Sequence, residues 1–108
     1  MKVSNLTSPR SGAKVANQFI VNDGDIEYFQ SYETVIAKRQ GYNLTVSSAY
    51  NYSNTTSKYF RQWLTDEWRW DDSEVDKLKK MLKKANYGDK FYIEIGYVEY
   101  TVEYVDSL

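Results

Sequence analysis

The side chains that could support catalysis are few in this sequence. The chain has 15 Asp and Glu residues but no histidine and no cysteine. Thiol nucleophiles, disulfides, metal sites built from Cys and His, and histidine acid–base chemistry are therefore excluded. The nearest approach to a carboxylate pair is Asp66 with Glu67, or Asp71 with Asp72. Adjacent residues on a helix point in different directions, and acids at a helix N-terminus complement its dipole. We therefore expect no enzyme activity, no cofactor and no metal.

Aromatic side chains are the chemistry that this chain has in excess. Eleven tyrosines, three tryptophans and four phenylalanines occur in 108 residues, with a net charge of −1. Tyrosine offers a large rigid ring and a hydroxyl at a low cost in conformational entropy. The composition thus indicates binding to another molecule, while the overall charge gives no field that would attract nucleic acid.

Charge is segregated in the second half of the chain. Residues 77–90 carry six lysines and one aspartate, whereas residues 91–108 carry four acids and no base. At helical spacing, four of these lysines fall opposite an apolar stripe of Val75, Leu78, Met81 and Leu82, and Lys79 lies at its flank. The four are Lys77, Lys80, Lys83 and Lys84, and their arrangement is typical of a solvated helix face. Direct nucleic-acid binding by these lysines is therefore the less favoured interpretation.

The acidic segment reads as a β-strand with two distinct faces. If Val98, Tyr100 and Val102 face the core, Glu99 and Glu103 face outward. Spaced carboxylates on a β surface can occupy the place of phosphates in a basic groove. The alternative is a solvated sheet face whose charges only prevent edge pairing.

The link Trp68-Arg69-Trp70 has two interpretations: an exposed binding hot spot, or two indoles at the edge of the core. Taken with the acidic strand, it completes the predicted partner-binding set. Electrostatic contact is expected from Glu94, Glu99, Glu103 and Asp106, and anchoring from Tyr97, Tyr104, Trp68 and Trp70.

The elements that must position these residues predict an α+β fold. Residues 1–14 read as an irregular leader, and residues 15–108 as a single domain. Asn22-Asp23-Gly24-Asp25 marks a hairpin within an antiparallel meander of three or four strands. Two helices follow, capped from Ser53–Thr55 and by Asp72 or Ser73. One or two C-terminal strands complete the sheet, and a slip in alternation at Gly96 indicates a bulge or a turn.

Several segments resemble a family of small proteins encoded by phages and prophages of Gram-positive bacteria. The matching segments are Ser8–Gly12, Val15–Phe19, Tyr28–Tyr32, Ile36–Lys38 and Tyr52–Tyr59, ending in Leu64. Small phage accessory proteins often bind and disable host defence machinery, CRISPR nucleases included. The resemblance implies a phage-borne origin. On that origin we expect an inhibitor of a host nuclease, such as one of the Cas9 type, that occupies its nucleic-acid-binding surface.

Two other functions stay open at this point. One is a nucleic-acid-binding phage accessory protein, and the other is a self-assembling structural component joined through strand edges or aromatic contacts. No apolar run approaches the roughly 20 residues of a membrane span, and no apolar signal-peptide core follows Met1. We expect a cytoplasmic location in the bacterial host. The oligomeric state is not predicted.

Overall fold

A seven-stranded sheet with helices packed on one of its faces forms the body of the protein. The computed structural model describes residues 1–108, and its strands are β1 Lys2–Thr7, β2 Lys14–Asp23, β3 Ile26–Ser31, β4 Thr34–Gln40, β5 Asn43–Ser47, β6 Lys90–Ile95 and β7 Val98–Val105. They lie in the order β1-β2-β3-β4-β5-β7-β6. The first five form an antiparallel meander, β7 pairs with β5 in parallel, and β6 pairs with β7 antiparallel. This confirms the predicted α+β class, with one strand more in the meander than expected.

The additional strand corrects the prediction of an irregular leader over residues 1–14. Lys2–Thr7 form β1, an edge strand that pairs antiparallel with β2. Leu6 is its one buried side chain, and the amide of Gln62 donates to the carbonyl of Thr7 at 2.7 Å. A strand held by backbone pairing and a single apolar residue leaves almost no periodic signal in the sequence, because most of its side chains stay exposed.

The slip in alternation near Gly96 is a turn and not a bulge. Ile95 and Val98 are directly paired, so Gly96 and Tyr97 form a two-residue hairpin connection between β6 and β7. Gly96 has a φ of 64°, a left-handed conformation that glycine adopts without a steric penalty and that such turns require. The turn is also bonded to a residue outside the hairpin, because the backbone N–H of Gly96 donates to the Glu74 carboxylate at 3.2 Å.

Two α-helices and a short π-helical segment cover one face of the sheet. Helix α1 spans Asn54–Gln62, the π-helical segment spans Trp63–Glu67, and α2 spans Asp72–Lys84. None of these helices has both the length and the apolar character needed to cross a membrane.

The helix caps are only partly those expected. Ser53 caps α1 as predicted, with its hydroxyl accepting from Thr56 N at 3.1 Å. The cap of α2 is Asp71 and not Asp72 or Ser73, because Asp71 and Glu74 form a reciprocal capping box. Its two hydrogen bonds measure 2.8 and 2.9 Å.

The core lies between the helices and the covered face of the sheet. Phe29 of β3 stacks on Phe60 and Trp63, with ring centroids 6.5 and 5.9 Å away. On α2, Val75, Leu78 and Leu82 are fully buried. The opposite face of the sheet has no helix against it, so its side chains are available to a partner.

Candidate functional site

Trp68 and Trp70 belong to the core and are not an exposed hot spot. Their exposed fractions are 9% and 2%, and their rings lie 5.7 and 5.4 Å from that of Tyr100. Arg69 between them is exposed and has a φ of 58°. This left-handed residue turns the chain so that both flanking indoles point inward. The guanidinium of Arg39 covers the Trp68 ring at 4.1 Å. The prediction of a tryptophan anchor is therefore wrong.

Tyr104 and Asp106 lie apart from the predicted acidic surface. Tyr104 faces the helix side of the sheet, where its ring lies 6.3 Å from Tyr50 and 5.4 Å from Tyr87. Burial, followed by the proximity of Tyr87 and Asp106, raises the pKa of its phenol. Asp106 follows β7 and accepts from the Ser48 hydroxyl through its backbone carbonyl at 2.7 Å. Neither side chain joins the glutamates of β7 on one surface.

The remaining four predicted residues lie on the face of the β6–β7 hairpin that the helices do not cover, or in its turn. They are Glu94, Tyr97, Glu99 and Glu103. Glu94, Tyr97 and Glu99 are exposed, and Glu103 is half-buried on the same face. The strand register separates Glu103 from the others, however. Lys90 lies directly opposite Glu103 on one side, and on the other side Thr45 adjoins it, followed by Lys38. Glu99 and Glu103 thus both face outward as expected, but lysines adjoin the acidic surface around Glu103.

A shallow polar hollow lies between Glu103 and the lysines Lys38 and Lys90. Its volume is about 250 Å³, and Lys38, Thr45, Lys90 and Glu103 are among its lining residues. Two lysines and one glutamate make this part of the face mixed in charge. The acidic character of the surface is consequently concentrated near the hairpin turn.

Four side chains near that turn form a compact exposed patch, here called the hairpin-tip surface: Tyr92, Glu94, Tyr97 and Glu99. Glu94 and Glu99 are directly opposed across β6 and β7. Tyr97 is fully exposed in the turn, and Tyr92 is 64% exposed two residues before Glu94. Tyr92 was missed in the sequence, although its position between the inward Phe91 and Ile93 already indicates that it faces outward. The patch can accept hydrogen bonds from cations and pack flat groups against its rings.

A cleft on the other side of the molecule was not foreseen. It lies between the β3–β4 turn and the start of α1, has a volume of about 520 Å³, and includes Tyr32, Ile36, Tyr52 and Thr56 in its lining. Tyr32 is left-handed, with a φ of 55°, and no charged side chain lines the cleft. The cleft suits a neutral group, and it is separate from the hairpin-tip surface.

Comparison with known proteins places the chain in a family. Residues 1–91 match the model of a family of unknown function, DUF8033, and the chain belongs to that family. No curated protein and no solved structure matches it. The match includes the whole cleft and ends one residue before Tyr92, so the hairpin-tip surface lies outside it. The family description names no activity.

Proposed function

We propose that this member of DUF8033 is a non-enzymatic binding protein whose hairpin-tip surface docks onto a basic surface of another protein. The observation that carries the proposal is the direct cross-strand opposition of Glu94 and Glu99 on an exposed face. Like charges placed opposite each other destabilise a sheet. A fold that keeps this pair gains from it when a cation of a partner lies between the two carboxylates.

The two glutamates are held side by side and have no ion pair of their own. Side chains directly opposite on an antiparallel pair are about 5 Å apart at their Cβ atoms, so the two carboxylates are presented together from paired backbone. Neither glutamate has an ion pair within the chain, since both salt bridges of the protein involve Arg61. Tyr92 and Tyr97 flank the acids and supply large rigid contact area, which is the composition of a protein-binding patch.

The chemistry of this surface suits a groove built to hold nucleic acid. Such grooves present Arg and Lys to phosphates, and paired carboxylates can take the same hydrogen bonds. The phage-protein resemblance of the sequence makes a host defence nuclease of the Cas9 type the first partner to test. Its guide–target duplex lies in a positively charged channel, and occupying that channel would inhibit the nuclease without any catalytic step.

The lysine face of α2 supports the rival nucleic-acid interpretation less well. Lys79 Nζ donates to the Ser57 hydroxyl at 2.7 Å, and burial lowers its pKa. On the same helix, Asp72 and Asp76 both pair with Arg61. A salt titration with labelled DNA tests this alternative, because binding through phosphates weakens steeply as salt rises.

The proposal is tested by charge reversal at the hairpin tip. The Glu94→Lys/Glu99→Lys variant should lose capture of the partner from a bacterial host lysate, and should lose inhibition of a purified Cas9-type nuclease. The matched control is Asp23→Lys/Glu33→Lys, which changes the net charge equally at exposed acids elsewhere. Partner capture that survives in the first variant, or is lost equally in both, would contradict the proposed site.

A further inference from the structure

The edge of β6 that faces away from β7 has no strand beside it. β6 is the last strand of the sheet and pairs only with β7. Tyr104 N donates to the carbonyl of Asp89 at 3.0 Å, just before the strand begins. Hydrogen-bonded and non-hydrogen-bonded pairs alternate along an antiparallel ladder. The odd-numbered residues therefore bond to β7, and Lys90, Tyr92 and Glu94 direct their backbone groups away from the sheet.

This edge lacks most of the devices that normally prevent pairing with another chain. β6 contains no proline, and its register with β7 runs without a bulge from Lys90 to Ile95. Prolines, bulges and repeated lysines are the usual means of protecting an edge. The only charges here are Lys90 and Glu94, which are opposite in sign. The edge therefore gives a uniformly charged strand no net attraction, but it suits a strand with the same two charges in reverse order.

We propose that two copies of this chain pair antiparallel through β6, with the two-fold axis at Tyr92. In this register Lys90 lies opposite Glu94 of the second copy, twice by symmetry. Phe91 lies opposite Ile93 of the second copy, and the two Tyr92 residues face each other. The half-exposed side chains of Phe91 and Ile95 gain cover from the second strand.

The register is selected by the backbone and by charge. A shift by one residue would pair Lys90, Tyr92 and Glu94 with backbone groups that already bond to β7. A shift by two places a charge opposite Tyr92. A shift by four places Lys90 opposite Lys90, or Glu94 opposite Glu94, of the second copy. Only the register centred on Tyr92 pairs unlike charges and uses all the free backbone groups.

The paired molecule would be one continuous sheet with two hairpin-tip surfaces on the same side. A two-fold axis perpendicular to the sheet brings both uncovered faces to one side and both helical layers to the other. Lys90 of the second copy then approaches Glu94, while Glu99 stays open. The dimer would present the surface twice, and so bind a repeated or two-fold partner with avidity.

A charge-swap series measured by sedimentation velocity tests the inference. The unmodified chain should form dimers, and Lys90→Glu or Glu94→Lys alone should weaken dimerisation by at least about tenfold, because each creates two like-charge contacts. Lys90→Glu/Glu94→Lys should restore it, since the pairs are re-formed with the charges exchanged. Lys80→Glu on the exposed face of α2 is the control and should leave the dimer unchanged.

A backbone variant separates strand pairing from a general charge effect. Tyr92→Pro removes an outward N–H, and by the alternation above the bonds to β7 do not use it. It should give a monomer whose circular dichroism spectrum stays native. Any of three results would overturn the inference. The unmodified chain could be monomeric at about 100 μM, its dimers could be unaffected by either single charge reversal, or the double variant could fail to restore the dimers. Open polymers would indicate instead that β6 pairs with the other edge strand, β1.

Discussion

Glu94 on β6 and Glu99 on β7 face each other on the uncovered side of the sheet, and neither has a basic partner in its own chain. Four residues further along β7, Glu103 lies opposite Lys90. Two glutamates on the same face of the same strand thus have opposite electrostatic surroundings. This contrast allows the cost of the acidic pair to be measured within one molecule.

Neutralising one member of the pair should stabilise the fold. We expect Glu99→Gln to raise the free energy of unfolding by about 0.2–1 kcal/mol, because a like-charge cross-strand pair is removed. Glu103→Gln is the control and should give no gain, since its charge faces a lysine. Urea unfolding at low protein concentration measures both, and the difference should shrink as salt screens the charges. Equal effects of the two substitutions would contradict this account.

Truncating Trp68 should remove much of the stability of the fold, whereas truncating Tyr97 should leave the free energy of unfolding nearly unchanged. Trp68→Ala removes a buried ring in contact with Trp63, Trp70 and Tyr100, at a cost of roughly 3–5 kcal/mol. Tyr97→Ala changes a fully exposed side chain and should stay within about 0.5 kcal/mol. Thermal and urea unfolding check the pair. A small effect at Trp68 would restore the exposed hot-spot interpretation.

Replacing Gln18 with an apolar residue of similar length should stabilise the protein. Gln18 is 1% exposed on the covered face, and no protein atom bonds its amide nitrogen or oxygen. A buried polar group without a partner costs about 1–3 kcal/mol. Gln18→Met should therefore raise the urea midpoint with an unchanged m-value, while Gln62→Met should lower it, because Gln62 bonds Thr7. A loss of stability at Gln18 would show that its amide has a role that the fold requires.

Ionisation of the Glu67 carboxyl should lower the stability of the fold as pH rises. Glu67 is exposed as a residue, but partial burial of its carboxyl raises the pKa above the ordinary 4.5, and Glu27 and then Asp66 add to the effect. An acid whose pKa is higher in the folded state than in the unfolded state destabilises the fold when it is ionised. This destabilisation is fully present at pH values above the folded-state pKa and absent at pH values below the unfolded-state pKa. Glu67→Gln should thus be stabilising at pH 7, and the gain should vanish as pH falls through the folded pKa toward 4.5.

The control for this pH dependence is Glu33→Gln, a change at an exposed turn residue. Its unfolding free energy should follow that of the unmodified chain across the same range. A stabilisation by Glu67→Gln that is constant with pH would show that packing, and not ionisation, is responsible. Unfolding curves at closely spaced pH values distinguish the two.

Local features of the fold were predictable from the sequence because neighbouring residues determine them. The hairpin at Gly24, the cap at Ser53 and the apolar stripe of α2 each depend on residues within a few positions of one another. The cap of α2 was misplaced by one residue, since Asp71, Asp72 and Ser73 are all good caps. Only the position of Glu74 selects Asp71.

The composition of the surface was less predictable because strand order brings distant segments together. That β7 lies between β5 and β6 cannot be seen in the alternation of either strand, yet it places Lys90 opposite Glu103. The acidic surface was predicted from the charges of residues 91–108, without the lysines that strand pairing places beside Glu103. The two tryptophans around Arg69 were ambiguous for a similar reason, because a single left-handed residue decides the direction of both side chains.

The insertion of β7 between β5 and β6 also has a consequence for synthesis on the ribosome. The meander and the helices are complete by residue 84, but β6 has no neighbour to join until residues 98–105 have left the exit tunnel. Until then β6 has no strand to pair with, and its apolar side chains and backbone groups stay exposed on the nascent chain. Slow translation over this stretch, or a nonsense codon within it, would therefore expose β6 to aggregation and proteolysis, even though every residue that precedes it is present.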